Sequence, residues 1–207
     1  MIEKRLGSGW TGEVYKAREV MTDAVRAMKI FTNHSPGGNS GKSKPHESSR
    51  DFAHCAWVLE EFSIKSPGLF PTYFHFGHAF LPPKKNSKAG DNDYVSGNYY
   101  IIQEYLKGKI LTANQWKNCE KPLVENLIER MLHARAKAGL AVGDMNQENI
   151  LLTGTGTARS IRIIDCEYGR DEAPNNNFDR DITKLGKLFG PWAKEFYQAR
   201  WKKMSNA

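Results

Sequence analysis

The chain predicts a mixed α+β protein, with strands and one helix in its first half and mainly helices in its second. Three observations carry this. Residues 6–17, 25–31, 70–79 and 99–105 read as strands, and only residues 51–64 between them have helical periodicity. Past residue 121 the longest periodic segment is helical, over Pro122 to Gly139, and a final helical stretch carries Asp181 to Gly186. Between these helices, the apolar run Ile150-Leu151-Leu152 reads as a buried strand and Ile161 to Asp165 as a second strand ending in an acid. At 207 residues the chain is long enough for one domain with a proper core, or for two tightly joined lobes.

Composition narrows the class. With 40% hydrophobic and 26% charged residues the chain is ordinary for a soluble globular protein. No apolar run approaches the roughly 20 residues of a membrane span, so no membrane association is expected. The opening Met1 to Leu6 lacks the apolar core of a secretory signal. Cys55, Cys119 and Cys166 are odd in number and form no Cys-x-x-Cys pair, which points to free thiols in a reducing compartment. The net charge of +7 is spread along the sequence. It fits a solvated surface suited to a polyanionic cofactor or an acidic partner better than sequence-specific nucleic-acid binding.

Leu6 to Ala17 reads as strand, tight turn, strand. Gly7, Gly9 and Gly12 fit G-x-G-x-x-G, and Val14 extends it to G-x-G-x-x-G-x-V. A dinucleotide fingerprint requires a helix to start inside the motif; Val14 to Arg18 alternates like a strand instead. A hairpin lying over phosphates fits better, its glycines permitting close backbone approach. The next strand, Val25 to Phe31, embeds Lys29 among apolar residues seventeen positions after Gly12. Thr32 to Ser49 reads as a loop, and inside it Pro36 to Ser43 resembles a Walker loop by chance: its first glycine is a proline, and no buried strand precedes it.

Asp51 to Ile64 is an amphipathic helix with Phe52, Cys55, Ala56, Leu59 and Phe62 on one face. Phe70 to Ala79 follows as a strand, and Leu81 to Gly97 as a polar insertion. Tyr99 to Gly108 is a strand leading into a turn, with Gln103, Glu104 and Leu106 at its end. Helix Pro122 to Gly139 then delivers the chain to Val142-Gly143-Asp144-Met145-Asn146-Gln147-Glu148-Asn149. The strand ending in Asp165 and the run Cys166-Glu167-Tyr168-Gly169 follow. Two acids with an asparagine between them suit divalent metal on a nucleotide phosphate, because Mg²⁺ prefers hard oxygen donors.

The complete order, glycine loop, lysine, helix, turn, Asp-x4-Asn and Ile-Ile-Asp, resembles the protein-kinase-like superfamily from Leu6 to Gly186. The resemblance implies an α+β, bilobal fold, with a small β-rich N-lobe with one helix over residues 1–106 and a truncated, mostly helical C-lobe over residues 107–207. It implies ATP and Mg²⁺ as cofactors. Asp144 would be the catalytic aspartate, Asn149 and Asp165 the metal ligands, and Lys29 the residue gripping the phosphates. Glu60 is preferred as the helix partner of Lys29, with Glu61 next and Glu47 third. Gly7, Gly9, Gly12 and Val14 would cover the phosphates. Backbone groups near Glu104 and Leu106 would meet the adenine edge, with Gln103 at the back of that pocket. Asp181-Ile182-Thr183-Lys184-Leu185-Gly186 is similar to the opening of the buried large-lobe helix, whose aspartate bonds the catalytic-loop backbone; a helix-terminal Asp favoured by the dipole is the local alternative.

Several positions depart from the family. Val142-Gly143 stands for His-Arg, Asn146 for a lysine, and Asp165-Cys166-Glu167 for Asp-Phe-Gly. Gly143-Asp144 and Asp165-Cys166-Glu167-Tyr168 resemble aminoglycoside and choline kinases. Lys107 to Gly143 is nevertheless too short for their substrate-pocket insertion, and Cys166 to Arg180 leaves fifteen residues for an activation segment. A minimal Ser/Thr protein kinase fits better. It is similar to the effector kinases that pathogenic bacteria inject into host cells, of the OspG and NleH kind and above all the HopBF family. That resemblance implies a monomer made in the bacterial cytoplasm, delivered to the host cytoplasm by type III secretion, and acting on a host protein, the ninety-kilodalton heat-shock chaperone. A small-molecule kinase and a non-catalytic nucleotide-binding module are the alternatives.

Overall fold

A computed structural model describes residues 1–9, 12–31, 45–79, 98–143, 145–165 and 174–206. They form an α+β structure that divides into two compact units, Met1–Trp57 with Tyr73–Tyr105, and Val58–Thr72 with Leu106–Ala207. Among the described residues no helix is long and apolar enough to cross a membrane.

The first unit is built on an antiparallel sheet. Strands β1 (Ile2–Gly9), β2 (Gly12–Arg18), β3 (Val25–Phe31), β4 (Tyr73–Ala79) and β5 (Asn98–Glu104) lie in the order β1-β2-β3-β5-β4. β3 is central, pairing with β2 on one side and β5 on the other. Its Ala27, Lys29, Ile30 and Phe31 are buried, the crowding a β-branched and apolar central strand favours. Helix α1 (Pro45–Lys65) connects β3 to β4 in the chain. Near its start Phe52 stacks on Tyr99 at 4.6 Å and meets Phe31 and Phe76 edge-on at 5.5 and 5.6 Å. This aromatic cluster joins the helix to the sheet.

From Val58 onward α1 belongs to the second unit. There strands β6 (Gly108–Lys109), β7 (Ile150–Thr153) and β8 (Ser160–Ile163) form a small sheet in that order. Around it lie α2 (Ala113–Lys117), α3 (Lys121–Ala138), α4 (Pro174–Phe189) and α5 (Pro191–Ser205). Leu69, Leu127, Ile128, Leu132, Ile150, Ile161, Ile163 and Leu185 are fully buried and form the core. Arg135 of α3 lies between the rings of Phe178 and Trp201, at 4.1 and 3.8 Å, which ties α3 to α4 and α5 by cation–π contacts.

The helix ends explain where several boundaries differ from the sequence reading. α1 starts at Pro45 rather than Asp51, so residues 45–49 are not loop; proline suits a first helical turn because its missing N–H is needed there by no partner. β4 starts at Tyr73 rather than Phe70, because residues 66–70 turn, with Gly68 at φ +82°. α3 ends as expected at Gly139, whose φ of 65° gives the left-handed cap. α2 was not expected; Thr112 and Gln115 close a capping box on it. α4 starts at Pro174, so Asp181 sits mid-helix and the reading of a helix-terminal aspartate is corrected. The helix start also leaves only residues 166–173 before it, fewer than the fifteen expected. The Walker-like stretch 36–43, the insertion 81–97 and Cys166-Glu167-Tyr168-Gly169 lie outside the described residues.

Candidate functional site

The candidate residues fall into two groups, one in each unit. In the first, β1 and β2 pair with Gly7 opposite Val14 and Gly9 opposite Gly12. The glycines are there for different reasons. A Cβ on Gly12 would stand 2.0 Å from the carbonyl oxygen of Ile30, so Gly12 lets β2 approach β3. A Cβ on Gly7 would meet nothing within 4 Å, so internal packing does not require glycine there.

Val14 is opposite Lys29, and Lys29 is opposite Ile101 on the other side. The register therefore sets Lys29 in the middle of the sheet, where it is only 9% exposed, with its ammonium 5.4 Å from the centre of the Phe31 ring. β5 ends at Glu104, which is opposite Arg26, and Gln103 beside it is buried. Leu106 is the first residue of the longer segment of the second unit and is half-buried.

Glu60 is exposed on α1, whereas Glu61 forms an ion pair with Lys65 one turn later. The side chain of Glu47 lies outside the described residues.

In the second unit, the loop after α3 runs through buried Leu140, Ala141 and Val142 to Gly143, whose φ is 81°. Asp181 holds this loop. Its Oδ2 accepts the backbone N–H of Val142 at 2.7 Å and its Oδ1 that of Gly143 at 3.0 Å. A side chain of α4 thus bonds the backbone of the loop that follows α3. The carboxyl is 1% exposed. Burial pushes its pKa up to about 7, against the pull of the two N–H donors and of Lys184 and Arg180.

Asp144 follows Gly143 and lies outside the described residues, while Met145 after it is fully buried. The side chain of Asn146 serves the backbone: Oδ1 accepts the N–H of Glu148 at 2.9 Å and of Asn149 at 3.1 Å. These bonds cap a single 3₁₀ turn over Gln147–Asn149. The asparagine thus shapes the stretch that presents Asn149. An Asx turn is the sequence signal that could have found this role.

Asn149 and Asp165 come together at one end of the β7–β8 hairpin. Ile150 is opposite Ile163, and the N–H of Ile164 donates to the carbonyl of Asn149 at 2.8 Å. Asp165 is the next residue, so it and Asn149 leave the same hairpin end. Their carboxylate and carboxamide are hard oxygen donors, the type Mg²⁺ takes. Among the described residues no group of three His, Cys, Asp or Glu side chains is gathered for a metal. Mg²⁺ needs no such cage, because it keeps waters and uses one or two protein carboxylates beside substrate phosphates. The donor set fits that ion.

Arg130 and Arg162 escaped the sequence reading. Arg130 donates from Nη1 to the carbonyl of Gly68, and from Nη2 to the carbonyl of Ile161 at 2.7 Å and to Ser160 Oγ at 3.2 Å. Arg162 Nη2 donates to the carbonyl of Phe70 at 2.6 Å. Within its helix Arg130 has no sequence mark that sets it apart from a solvated arginine.

No protein-family model matches the chain, and no curated protein matches it.

Proposed function

We propose that this protein is a minimal ATP- and Mg²⁺-dependent Ser/Thr protein kinase. The observation that carries the reading is the hairpin end that presents Asn149 and Asp165 together, directly after a loop whose backbone Asp181 holds. The sheet order β1-β2-β3-β5-β4, with a helix between β3 and β4 and Lys29 opposite Val14, supports it further, being the arrangement of a kinase small lobe. Asn149 and Asp165 would hold Mg²⁺, and Mg²⁺-ATP supplies the phosphoryl group when bound. Lys29, steadied by Glu60 or Glu61, would grip the phosphates, and the strand pair bearing Gly7, Gly9 and Gly12 would cover them. Glu104 and Leu106 would offer backbone groups to the adenine. Asp144 would orient the substrate hydroxyl and take its proton. No Ala-Pro-Glu and nothing resembling a switchable phosphorylation loop follows Asp165 in the sequence, so activity would need no upstream kinase.

The wider reading is an effector of the HopBF type that modifies a host protein, the ninety-kilodalton heat-shock chaperone being the first candidate. Purified protein incubated with labelled ATP, Mg²⁺ and host lysate is expected to label protein, and Asp165→Ala to lower that labelling at least about a hundredfold. Labelling that Asp165→Ala leaves unchanged would sink the kinase reading. Label on choline or an aminoglycoside, with lysate proteins untouched, would move the chain to the small-molecule kinases. Nucleotide binding without transfer to either would leave a binding module.

A further inference from the structure

α1 does not simply end at Lys65. The N–H of Ser66 still donates to Phe62 at 2.9 Å, and the chain then folds into a turn in which Leu69 N–H returns to Ser66 at 3.2 Å. Four bonds tie this turn to α3 and β8. Ser66 Oγ donates to the carbonyl of Arg130 at 3.0 Å, and Arg130 Nη1 donates back to Gly68. Arg162 donates to Phe70, and the N–H of Ile163 to the carbonyl of Leu69 at 3.0 Å. Beneath them Leu69 and Phe70 are buried, with the Phe70 ring 4.3 Å from Phe62 of α1.

Arg130 is the centre of this arrangement, because one guanidinium reaches the turn with Nη1 and β8 with Nη2. Its remaining bond, from Nε, goes to Asn126 within α3 at 3.3 Å. All of these acceptors are neutral. Burial, with the nearby charge of Arg162 adding to it, pulls the Arg130 pKa down to about 10. A half-buried cation with no acidic partner among the described residues is a costly way to gain stability, and an apolar side chain of similar volume would fill the space at less cost. What only the planar fork supplies is a fixed geometry between two backbones. The backbones it joins are informative. One leads back within two turns to Glu60 and Glu61, and the other leads on within a few residues to Asp165.

We infer that Arg130 is a positioning residue, locking the turn after α1 to β8 and so setting Glu60 and Glu61 relative to Asp165. The catalytic consequence rests on the kinase reading above; the locking itself does not. Lysine cannot replace the fork, because a single ammonium cannot keep both Gly68 and Ile161 in the same directions.

The test compares wild type with Arg130→Lys and Arg130→Met, both first shown to melt cooperatively. Amide exchange across residues 60–70 is expected to speed by about tenfold or more in both variants, with exchange in α5 unchanged. Phosphotransfer kcat is expected to fall by about tenfold or more while KM for ATP stays within about twofold, a split that mere loss of stability would not produce. Wild-type exchange over residues 60–70 in a folded variant overturns the lock, and faster exchange with unchanged kcat overturns the positioning role. If a variant does not melt cooperatively, Ser66→Ala, which removes one bond of the same tie, is read by the same criteria. If the wild type transfers no phosphate to any acceptor, the kinase reading fails and the positioning role falls with it, while the exchange data still decide the lock.

Discussion

Two hairpins carry most of the candidate residues, and they are held by opposite means. β1–β2, with the glycines, has an exposed first strand and a half-buried second one, and surface ion pairs cross its ladder: Glu3 takes Lys16 at 2.5 Å and Arg18 at 2.6 Å, and Glu13 takes Arg5 at 2.9 Å. β7–β8, which ends in Asn149 and Asp165, has Ile150, Ile161 and Ile163 fully buried. Screened charge pairs contribute little and permit movement, whereas a buried apolar hairpin keeps its ends in place. On the kinase reading proposed above, the first hairpin would be the mobile cover for a nucleotide and the second a fixed platform for metal ligands.

Core truncation gives the largest expected effect on stability. Ile163→Ala should lower unfolding free energy by about 2–5 kcal/mol in urea titrations, because it empties a fully buried site in the rigid hairpin. A loss under about 1 kcal/mol would break the contrast.

Asp181 sharpens the platform side. Burial raises its folded pKa from an ordinary 3.8 to about 7, so the folded chain holds the proton through a range where the unfolded chain has released it. Its contribution to stability is therefore full below about pH 4 and is lost as pH rises through about 7. The stability of wild type minus that of Asp181→Asn should fall by about 2–3 kcal/mol between pH 5 and 8. A flat difference would mean that the carboxyl is ionised throughout.

The two glycines of the cover should separate. Gly12→Ala should cost about 1–3 kcal/mol, since its methyl would overlap the backbone of Ile30. Gly7→Ala should stay within about 0.5 kcal/mol of wild type in the same melts yet weaken ATP binding. Equal stability losses would show that both glycines serve packing. Smallest of all, Glu3→Gln should shift the melting midpoint only slightly, and less still in high salt, because the lowered Glu3 pKa comes from exposed bonds to Lys16 and Arg18.

Local pattern sufficed for the α+β class, the strands around Lys29, the helix carrying Glu60, and the cap at Gly139, because each depends on neighbours within a few residues. The order of the glycine, lysine, Asn149 and Asp165 motifs was equally readable along the chain. Tertiary structure decided the rest. That Asn149 and Asp165 share a hairpin end depends on β7–β8 register, and the bonding of Asp181 depends on a loop 38 and 39 residues away. α2 and the early start of α1 were missed because polar, weakly periodic residues hide a helix whose cap or first proline defines it. Arg130 was invisible for a deeper reason. Its acceptors are main-chain carbonyls and a serine hydroxyl drawn from remote segments, and a carbonyl has no signature in sequence. Side chains specify which elements form; the distances between backbones, set only when those elements pack, decide what an arginine holds.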